Sequence, residues 1–194
     1  MKKQCKAEYE SLEPFLRNPP QAVSLMTKIG KNTMNNRQTS EIENLRNIVK
    51  TLRSETGCPW DRQQTHESLK PECIEEAAEV ISGINILDKT GDADNLKEEL
   101  GDLLLQIMFH SVIAEEEGLF TFDDVAATVS EKMIRRHPHV FSSVTYKSKE
   151  EQHAAWEAIK AEEKAGREWQ DDYLKQAFNE AAGLIDLAKK RKNF

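Results

Sequence analysis

The amino-acid sequence predicts an all-α fold, an antiparallel helical bundle whose helices begin at about residue 41. Apolar residues recur three and four positions apart in several segments, as they do on one face of a helix. No segment of useful length shows the alternation of apolar and polar residues that is typical of a strand. The chain of 194 residues has only 8 glycines and 6 prolines, and 31% of its residues are charged. This composition favours long amphipathic helices over a fold rich in turns.

The first helix with clear signals at both ends is predicted to start next to Ser40. Residues 1–39 are interpreted as an N-terminal appendage of unknown role. Ser40 and Glu43 have the spacing of a capping box. The segment "ETGCPWD", with Gly57 and Pro59, is predicted to end this helix. Between these signals the apolar residues follow helical spacing: Ile42, Leu45, Ile48, Val49 and Leu52.

Two longer helices joined by a short turn come next. Pro71 suits a first helical position because its missing N–H costs nothing there, and the helix is predicted to run to about Leu87. "DKTGDAD" forms the turn. The next helix covers about residues 93–117 and is apolar nearly all round from Leu100, which is typical of a buried central helix. Gly118 is expected to end it.

Three further helices are predicted over about residues 121–136, 148–160 and 171–190. Thr121 and Ser148 stand at the starts of the first two, where a hydroxyl can accept a hydrogen bond from the first turn. A thin helical layer has little interior of its own. We therefore expect part of the apolar surface to be buried between subunits in a homodimer or a larger homo-oligomer.

The composition argues against several functional classes. A net charge of −7 is opposite in sign to the basic face of a general nucleic-acid binder. The three cysteines are odd in number and contain no CxxC pair, so neither a zinc site nor a disulfide framework is expected. The N-terminus lacks the apolar core of a signal peptide, and no stretch approaches the length of a membrane span. The expectation is a cytoplasmic protein without a membrane partner.

Carboxylates cluster at the starts of the two longest helices. In "PECIEEAAEVISG" Glu76 and Glu79 share a face, with Glu75 at its edge. In "LKEELGDLLLQIMF" Glu99 and Asp102 are three positions apart and also share a face. Helices joined by a short turn lie antiparallel, so the two acidic faces can meet. Converging carboxylates in a poorly hydrated place must either be protonated or hold hard divalent cations, of which Mg²⁺, Mn²⁺ and Ca²⁺ suit oxygen ligands.

Two other interpretations of the acidic pattern were weighed. Glutamates in a first turn are favoured by the helix dipole, so "EExxE" alone usually marks a solvated face. The second acidic pair favours a metal site, because Asp102 stands just before the apolar run "LLLQIMF". A di-iron bundle would need Glu-x-x-His on two helices. Neither acidic pair carries a histidine, so magnesium ranks above di-iron.

Two basic pairs downstream suggest a phosphorylated substrate. Lys132 and Arg136 are four apart on one predicted helix, and Trp156 and Lys160 are four apart on the next. Lysine and arginine can hold phosphate oxygens, and tryptophan can stack on a nucleobase. The ordinary alternative is that the basic residues complement helix dipoles and that the tryptophan belongs to the core.

The span from Leu45 to about Lys164 resembles the MazG family of nucleoside triphosphate pyrophosphohydrolases. The matching pieces follow the order of the family: "LRSETGCPWDRQQTHESL", "IEEAAEV", "EELGDLLLQIMF", "GLFTFDDVAATVSEKMIRRHPHVF" and "WEAIKAEEK". Paired EExxE and ExxD motifs about twenty residues apart are its specific mark. By this resemblance, residues 40–165 form a MazG-like catalytic domain and residues 166–194 a C-terminal helical extension.

The resemblance implies an all-α fold of the MazG type that assembles as a homodimer or larger. It implies Mg²⁺-dependent hydrolysis of nucleoside triphosphates to the monophosphate and pyrophosphate, with Mn²⁺ as a substitute ion. It also implies roles for individual positions. Glu75 either activates the attacking water or contacts the metal ligands without binding the metal itself. The metal ligands are Glu76, Glu79, Glu99 and Asp102. The nucleotide contacts are Lys132, Arg136, Trp156 and Lys160.

Other functions fit the same residues. A pyrophosphohydrolase with a narrow substrate, such as dUTP, dCTP or phosphoribosyl-ATP, would share the acidic face. A non-catalytic helical interaction protein could keep the fold, although the intact carboxylates argue against it. The residues leave open the preferred base and sugar, the physiological role, the oligomeric state and the identity of the base.

Overall fold

Eight α-helices form the part of the chain that the structure, a computed structural model, describes, which is residues 40–194. No strand occurs in that range, so the predicted all-α fold class is confirmed. The predicted appendage over residues 1–39 lies outside the described residues. In chain order the helices are α1 Glu41–Arg53, α2 Pro59–Gln63, α3 Lys70–Thr90, α4 Asp94–Glu116, α5 Phe122–Arg136, α6 Pro138–Phe141, α7 Lys149–Lys164 and α8 Gln170–Lys192.

The helix ends follow local signals in the sequence. Thr121 accepts a hydrogen bond from the backbone N–H of Asp124, whose side chain accepts one from the N–H of Thr121, so α5 begins with a complete capping box. Ser148 accepts from the N–H of Glu151 at the start of α7. Gly91 ends α3 and Gly118 follows the end of α4, both with the positive φ that favours glycine. The short helices α2 and α6 were not predicted.

The hydrophobic core lies between α1 and the second half of α4. Here α4 is buried, as predicted for a central helix, but Leu100 and Ile107 on the same helix are 50% and 41% exposed. The expectation of burial nearly all round from Leu100 is therefore wrong at these two positions. The core cluster consists of Val49, Leu69, Met108, Phe109, Val112 and Ile113, with Leu45, Leu52, Leu105 and Phe122 packed against it.

Arg53, at the end of α1, ties the "GCPWD" segment to α4. Its guanidinium donates to both carboxylate oxygens of Glu116 and, through Nη1, to the backbone oxygens of Asp61 at 2.7 Å and Gln64 at 3.0 Å. The side chain is only 6% exposed, so these bonds form in a poorly hydrated place where they are strengthened. Trp60, in contrast, is largely exposed.

α3 and α4 form an antiparallel hairpin with a very close approach. Gly83 is buried in α3, and a Cβ atom there would lie 2.8 Å from the Cα atom of Leu96 in α4. Only a residue without a side chain allows this backbone distance. The approach fixes the rotation of α3 against α4, and so it fixes which side chains of the two helices face each other.

Several large apolar side chains on this hairpin are exposed. Ile81 and Ile84 on α3 accompany Leu100 and Ile107 on α4. α8 packs against α3, but its Leu174 is exposed as well. Burial of such surface in a homodimer stays a prediction. Among residues 40–194, no helix is long and apolar enough to cross a membrane.

We expect Gly83→Ala to lower the free energy of unfolding by about 1–2 kcal/mol, because the displaced backbone costs more than the gain in helix propensity. Gly183→Ala is the matched control in α8, where an added Cβ meets nothing within 4 Å. It should raise stability by about 0.5–1 kcal/mol. Urea denaturation of both variants measures this, and equal stabilisation by both would contradict the close approach at Gly83.

Candidate functional site

Three carboxylates from α3 and α4 converge on one place. Oxygen atoms of Glu76, Glu79 and Glu99 all lie within 4.8 Å of one another. Glu99 is buried, and its Oε1 accepts a hydrogen bond of 2.8 Å from Nδ2 of Asn95. The structure therefore brings together three of the four residues that were predicted as metal ligands. Asp102 stands outside this group of three, one helical turn beyond Glu99 on α4.

The carboxylates disfavour one another's charge. Burial raises the pKa of Glu76, and the negative charges of Glu79, Asp102 and Glu99 raise it further. Asp102 is thus an electrostatic neighbour of Glu76, although it is not one of the three converging residues. Burial also raises the pKa of Glu99, against the opposing hydrogen bond from Asn95. Crowded, partly dehydrated carboxylate oxygens are the environment that a hard divalent cation stabilises.

The last turn of α8 lies against the same acidic face. Lys192 forms ion pairs with Glu79 and, at 3.1 Å, with Glu75. Arg191 pairs with Glu75 and lies 3.5 Å from Glu72. These contacts were missed in the sequence because the partners are up to 119 positions apart and nothing local links them.

A cavity of about 440 Å³ lies beside these carboxylates, between α3, α4 and α8. Its walls are mostly apolar, with Glu79, Glu99 and Lys192 at the polar side. The Oδ1 atom of Asn95, which also lines the cavity, is buried and has no hydrogen-bond partner. The apolar lining includes Ile74, Ala78, Ile86, Ile185 and Ala188.

The predicted nucleotide contacts come together elsewhere, between α5 and α7. Lys132, Arg136 and Lys160 line a cavity of about 350 Å³. Lys160 places its Nζ 4.2 Å from the centre of the Trp156 ring, and Arg136 lies 5.8 Å from it. Cation–π contacts of this kind hold the two basic side chains over one aromatic face.

Sequence reasoning missed further basic residues of this cavity. Arg135, Lys164 and Arg167 also line it. Glu163 is the counter-ion of Arg135 and Arg136, whose hydrogen bonds lower the pKa of its carboxyl group. The "RRHPHVF" segment contributes to a neighbouring cavity of about 410 Å³. It is lined by Arg136, His137, His139, Tyr146, Lys149, Gln152, His153 and Trp156.

The acidic face and the basic cavity occupy different parts of the structure. The carboxylates lie between α3, α4 and α8, whereas Lys132, Arg136 and Lys160 lie between α5 and α7. Glu79 and Glu99 line one cavity and the basic residues another, and Arg136 and Lys160 form their ion pairs with Glu163 and Glu157. The predicted site residues thus form two separate groups within one chain.

A histidine pair near the other end of α4 was also missed. His66 and His110 stack with parallel rings and share a hydrogen bond of 2.8 Å between their Nδ1 atoms. The Sγ atom of Cys73 lies 3.2 Å from Nε2 of His110, and Glu117 lies 3.9 Å from His66. The shared bond needs one ring nitrogen that donates and one that accepts, so the two rings cannot both be protonated.

The fold and the acidic face together define an all-α domain with three carboxylates clustered between two helices. Residues 64–141 match the family described as the MazG nucleotide pyrophosphohydrolase domain. The resemblance to this family that the sequence shows is therefore confirmed over residues 64–141. The matched residues run from the segment before α3 to the end of α6 and include all the predicted metal ligands.

Curated relatives from bacteria share this region. A Thermotoga maritima protein named nucleoside triphosphate pyrophosphohydrolase/pyrophosphatase MazG is 55% identical over 123 residues, which are 63% of this chain and 45% of that protein. An Escherichia coli nucleoside triphosphate pyrophosphohydrolase is 44% identical over 127 residues, 65% of this chain and 47% of that one. The uncharacterized Bacillus subtilis protein YabN is 48% identical over 124 residues, 64% and 24% respectively. The chain spans about half or less of the length of these relatives.

The histidine pair predicts a pH dependence of stability. Burial and the neighbouring His66 lower the pKa of His110, so the folded state favours the neutral ring. The unfolded chain takes up a proton near the ordinary pKa of about 6.5. The contribution is therefore complete above that pH and is lost as pH falls below it.

We expect the loss of stability between pH 7.5 and pH 5.5 to be smaller in His110→Gln than in the wild type. Urea denaturation at the two pH values measures it. His153→Gln, at an exposed position of α7, is the control and should follow the wild type. The same pH dependence in all three proteins would exclude a role for His110.

Proposed function

We propose that the protein hydrolyses nucleoside triphosphates to the nucleoside monophosphate and pyrophosphate in a Mg²⁺-dependent reaction, by attack of water on the α-phosphorus. The observation that carries the proposal is the convergence of Glu76, Glu79 and Glu99 within a MazG domain. The named activities of the Thermotoga maritima and Escherichia coli relatives support it. A cytoplasmic location is part of the proposal, since nucleotides are found there.

The donor set fits a magnesium ion. Glu76, Glu79 and Glu99, with Asp102 close by, offer only oxygen atoms, and their mutual repulsion raises the pKa of Glu76. We assign these four side chains as the ligands, with Mn²⁺ as a substitute ion. A divalent cation held there lowers the pKa of bound water and neutralises phosphate charge.

Glu75 is proposed as the group that takes the proton from the attacking water. It precedes the ligand Glu76 on α3, and its charge contributes to the raised pKa of Glu76, so it lies beside the acidic face. Its side chain is 19% exposed and pairs with Arg191 and Lys192. A carboxylate held beside the attacking water is a common general base.

Lys132, Arg136 and Lys160 are proposed to hold the phosphate oxygens, with Trp156 beside the nucleoside. Their charges would oppose the negative charge that develops on the phosphates during hydrolysis. Because this group lies apart from the carboxylates within one chain, both groups must reach the same substrate for the reaction to occur. We propose that the homodimer implied by the resemblance brings α5 and α7 of one copy to the acidic face of the other.

We expect Glu79→Gln or Asp102→Asn to lower the rate of pyrophosphate release by about a hundredfold or more, since each removes a ligand charge worth several kcal/mol. Thermal stability without Mg²⁺ should be unchanged or higher, because repulsion is relieved. Glu98→Gln is the matched control, an exposed neighbour of Glu99, and should keep normal activity. Normal activity of Glu79→Gln would refute the metal assignment.

The products distinguish the site of attack. In a panel of all NTPs and dNTPs with Mg²⁺, we expect pyrophosphate and the monophosphate in equal amounts, because attack on the α-phosphorus leaves the outer two phosphates joined. Release of orthophosphate alone would contradict this. Activity confined to one nucleotide would instead establish the narrow-substrate alternative, and activity with none would favour the non-catalytic one.

Lys132→Gln should raise KM for the nucleotide about tenfold, because one charge-assisted bond to phosphate is lost. Steady-state kinetics of pyrophosphate release measures this. Lys175→Gln is the control: it removes the same charge from an exposed residue of α8 that pairs with Asp172 at 3.1 Å. An unchanged KM in Lys132→Gln would remove Lys132 from the nucleotide site.

A further inference from the structure

The last turn of α8 places two basic side chains against the carboxylates that are proposed to bind metal. Lys192 is in ion-pair contact with Glu79, one of the three converging residues, and with Glu75. Arg191 is in contact with Glu75 and approaches Glu72. The two basic side chains together cover one edge of the acidic face on α3.

This contact is more than the usual complement to a helix dipole. Four basic residues in the last turn of α8 complement its negative end, but the dipole does not determine where they point. Lys189 lines the same cavity yet pairs within its own helix, with Asp186 at 3.5 Å. Only Arg191 and Lys192 pair with the glutamates of α3 among these four residues.

An ammonium group and a divalent cation cannot both use the same oxygen atoms of Glu79. The ammonium takes the lone pairs and the space next to the carboxylate, and two positive charges at contact distance repel. Binding of metal through the Oε1 atom of Glu79, which Lys192 contacts, therefore has to displace Lys192. By linkage, a competitor that must be displaced weakens the apparent affinity for the metal.

The displacement is feasible because only the last turn has to move. Lys192 and Arg191 are 38% and 50% exposed, and exposed ion pairs are weak and readily exchanged with water. The body of α8 is held separately: Ala188 is buried, and Lys70 of α3 pairs with Glu180 at 3.0 Å. α8 can stay docked on α3 while its last turn releases the carboxylates.

We propose that Arg191 and Lys192 form an internal counter-cation that competes with the divalent cation for the acidic face, so that α8 sets the metal concentration at which the site fills. The inference rests on the proposed metal site. It makes Lys192 a competitor of the metal and not a ligand of the substrate.

Isothermal titration of the 194-residue chain with MgCl₂, without nucleotide, tests the competition. We expect Lys192→Gln to bind Mg²⁺ about three- to tenfold more tightly than the wild type, which is the range for losing one or two partly exposed ion pairs. Lys175→Gln removes the same charge elsewhere on α8 and should bind as the wild type does. Lys192→Arg keeps the charge and should also resemble the wild type.

Unchanged or weaker Mg²⁺ binding by Lys192→Gln would overturn the inference, as would equal tightening by Lys175→Gln, which would show a general charge effect. Circular dichroism and thermal melting show whether each variant folds. Arg191→Gln is the second variant, with the same expected direction, should Lys192→Gln not fold.

Pyrophosphate release separates this inference from the proposed function. Tighter Mg²⁺ binding by Lys192→Gln with no release from any protein would support the competition and refute the enzyme. Lost release with unchanged Mg²⁺ affinity would show that Lys192 serves the substrate, against the inference. Absence of Mg²⁺ binding by all variants also counts against it, while release assays still decide the proposed function.

Discussion

The close packing of α3 on α4 determines the geometry of the acidic face. Gly83 lets the two backbones approach until only a hydrogen atom fits between α3 and Leu96. This contact sets the rotation of one helix against the other. Glu76 and Glu79 then face Glu99 with their oxygens within 4.8 Å. Their repulsion opposes the packing, so the helix pair holds an arrangement that its carboxylates alone would not adopt.

The fold separates this unfavourable arrangement from the part of the molecule that stabilises it. α4 carries Glu99 in its first half, next to the exposed Leu100, and the core residues from Met108 onward in its second half. The core contacts with α1 and the Arg53 clamp on Glu116 all lie at that second end. A functional site often costs stability that other regions supply, and here one helix contains both regions.

Sequence reasoning succeeded where the information is local. Thr121 and Gly118 mark helix ends through their own backbone chemistry, and the i, i+3 spacing of Glu99 and Asp102 was enough to place both on one face. The short helices α2 and α6 were not predicted, because about one helical turn is too short for an apolar periodicity to be recognised. The His66–His110 pair and the contact of Lys192 with Glu79 depend on how distant helices dock. Periodicity within one segment carries no signal for such contacts.

The acidic face needs positive charge from more than one group, and both basic side chains and metal ions can provide it. Four or five carboxylates cannot all remain ionised in a partly dehydrated place without compensation. In the described structure Arg191 and Lys192 provide part of it, directly at Glu75 and Glu79. On the proposed function, a nucleoside triphosphate would add further negative charge, which the proposed divalent cation and the basic side chains around Lys132 would balance. These side chains lie on α5 and α7, and joining them to α3 by association of two copies would also offer a place to bury exposed residues such as Ile81 and Leu100. The same surface would then serve two needs, because apolar burial drives the association and the association completes the charge balance.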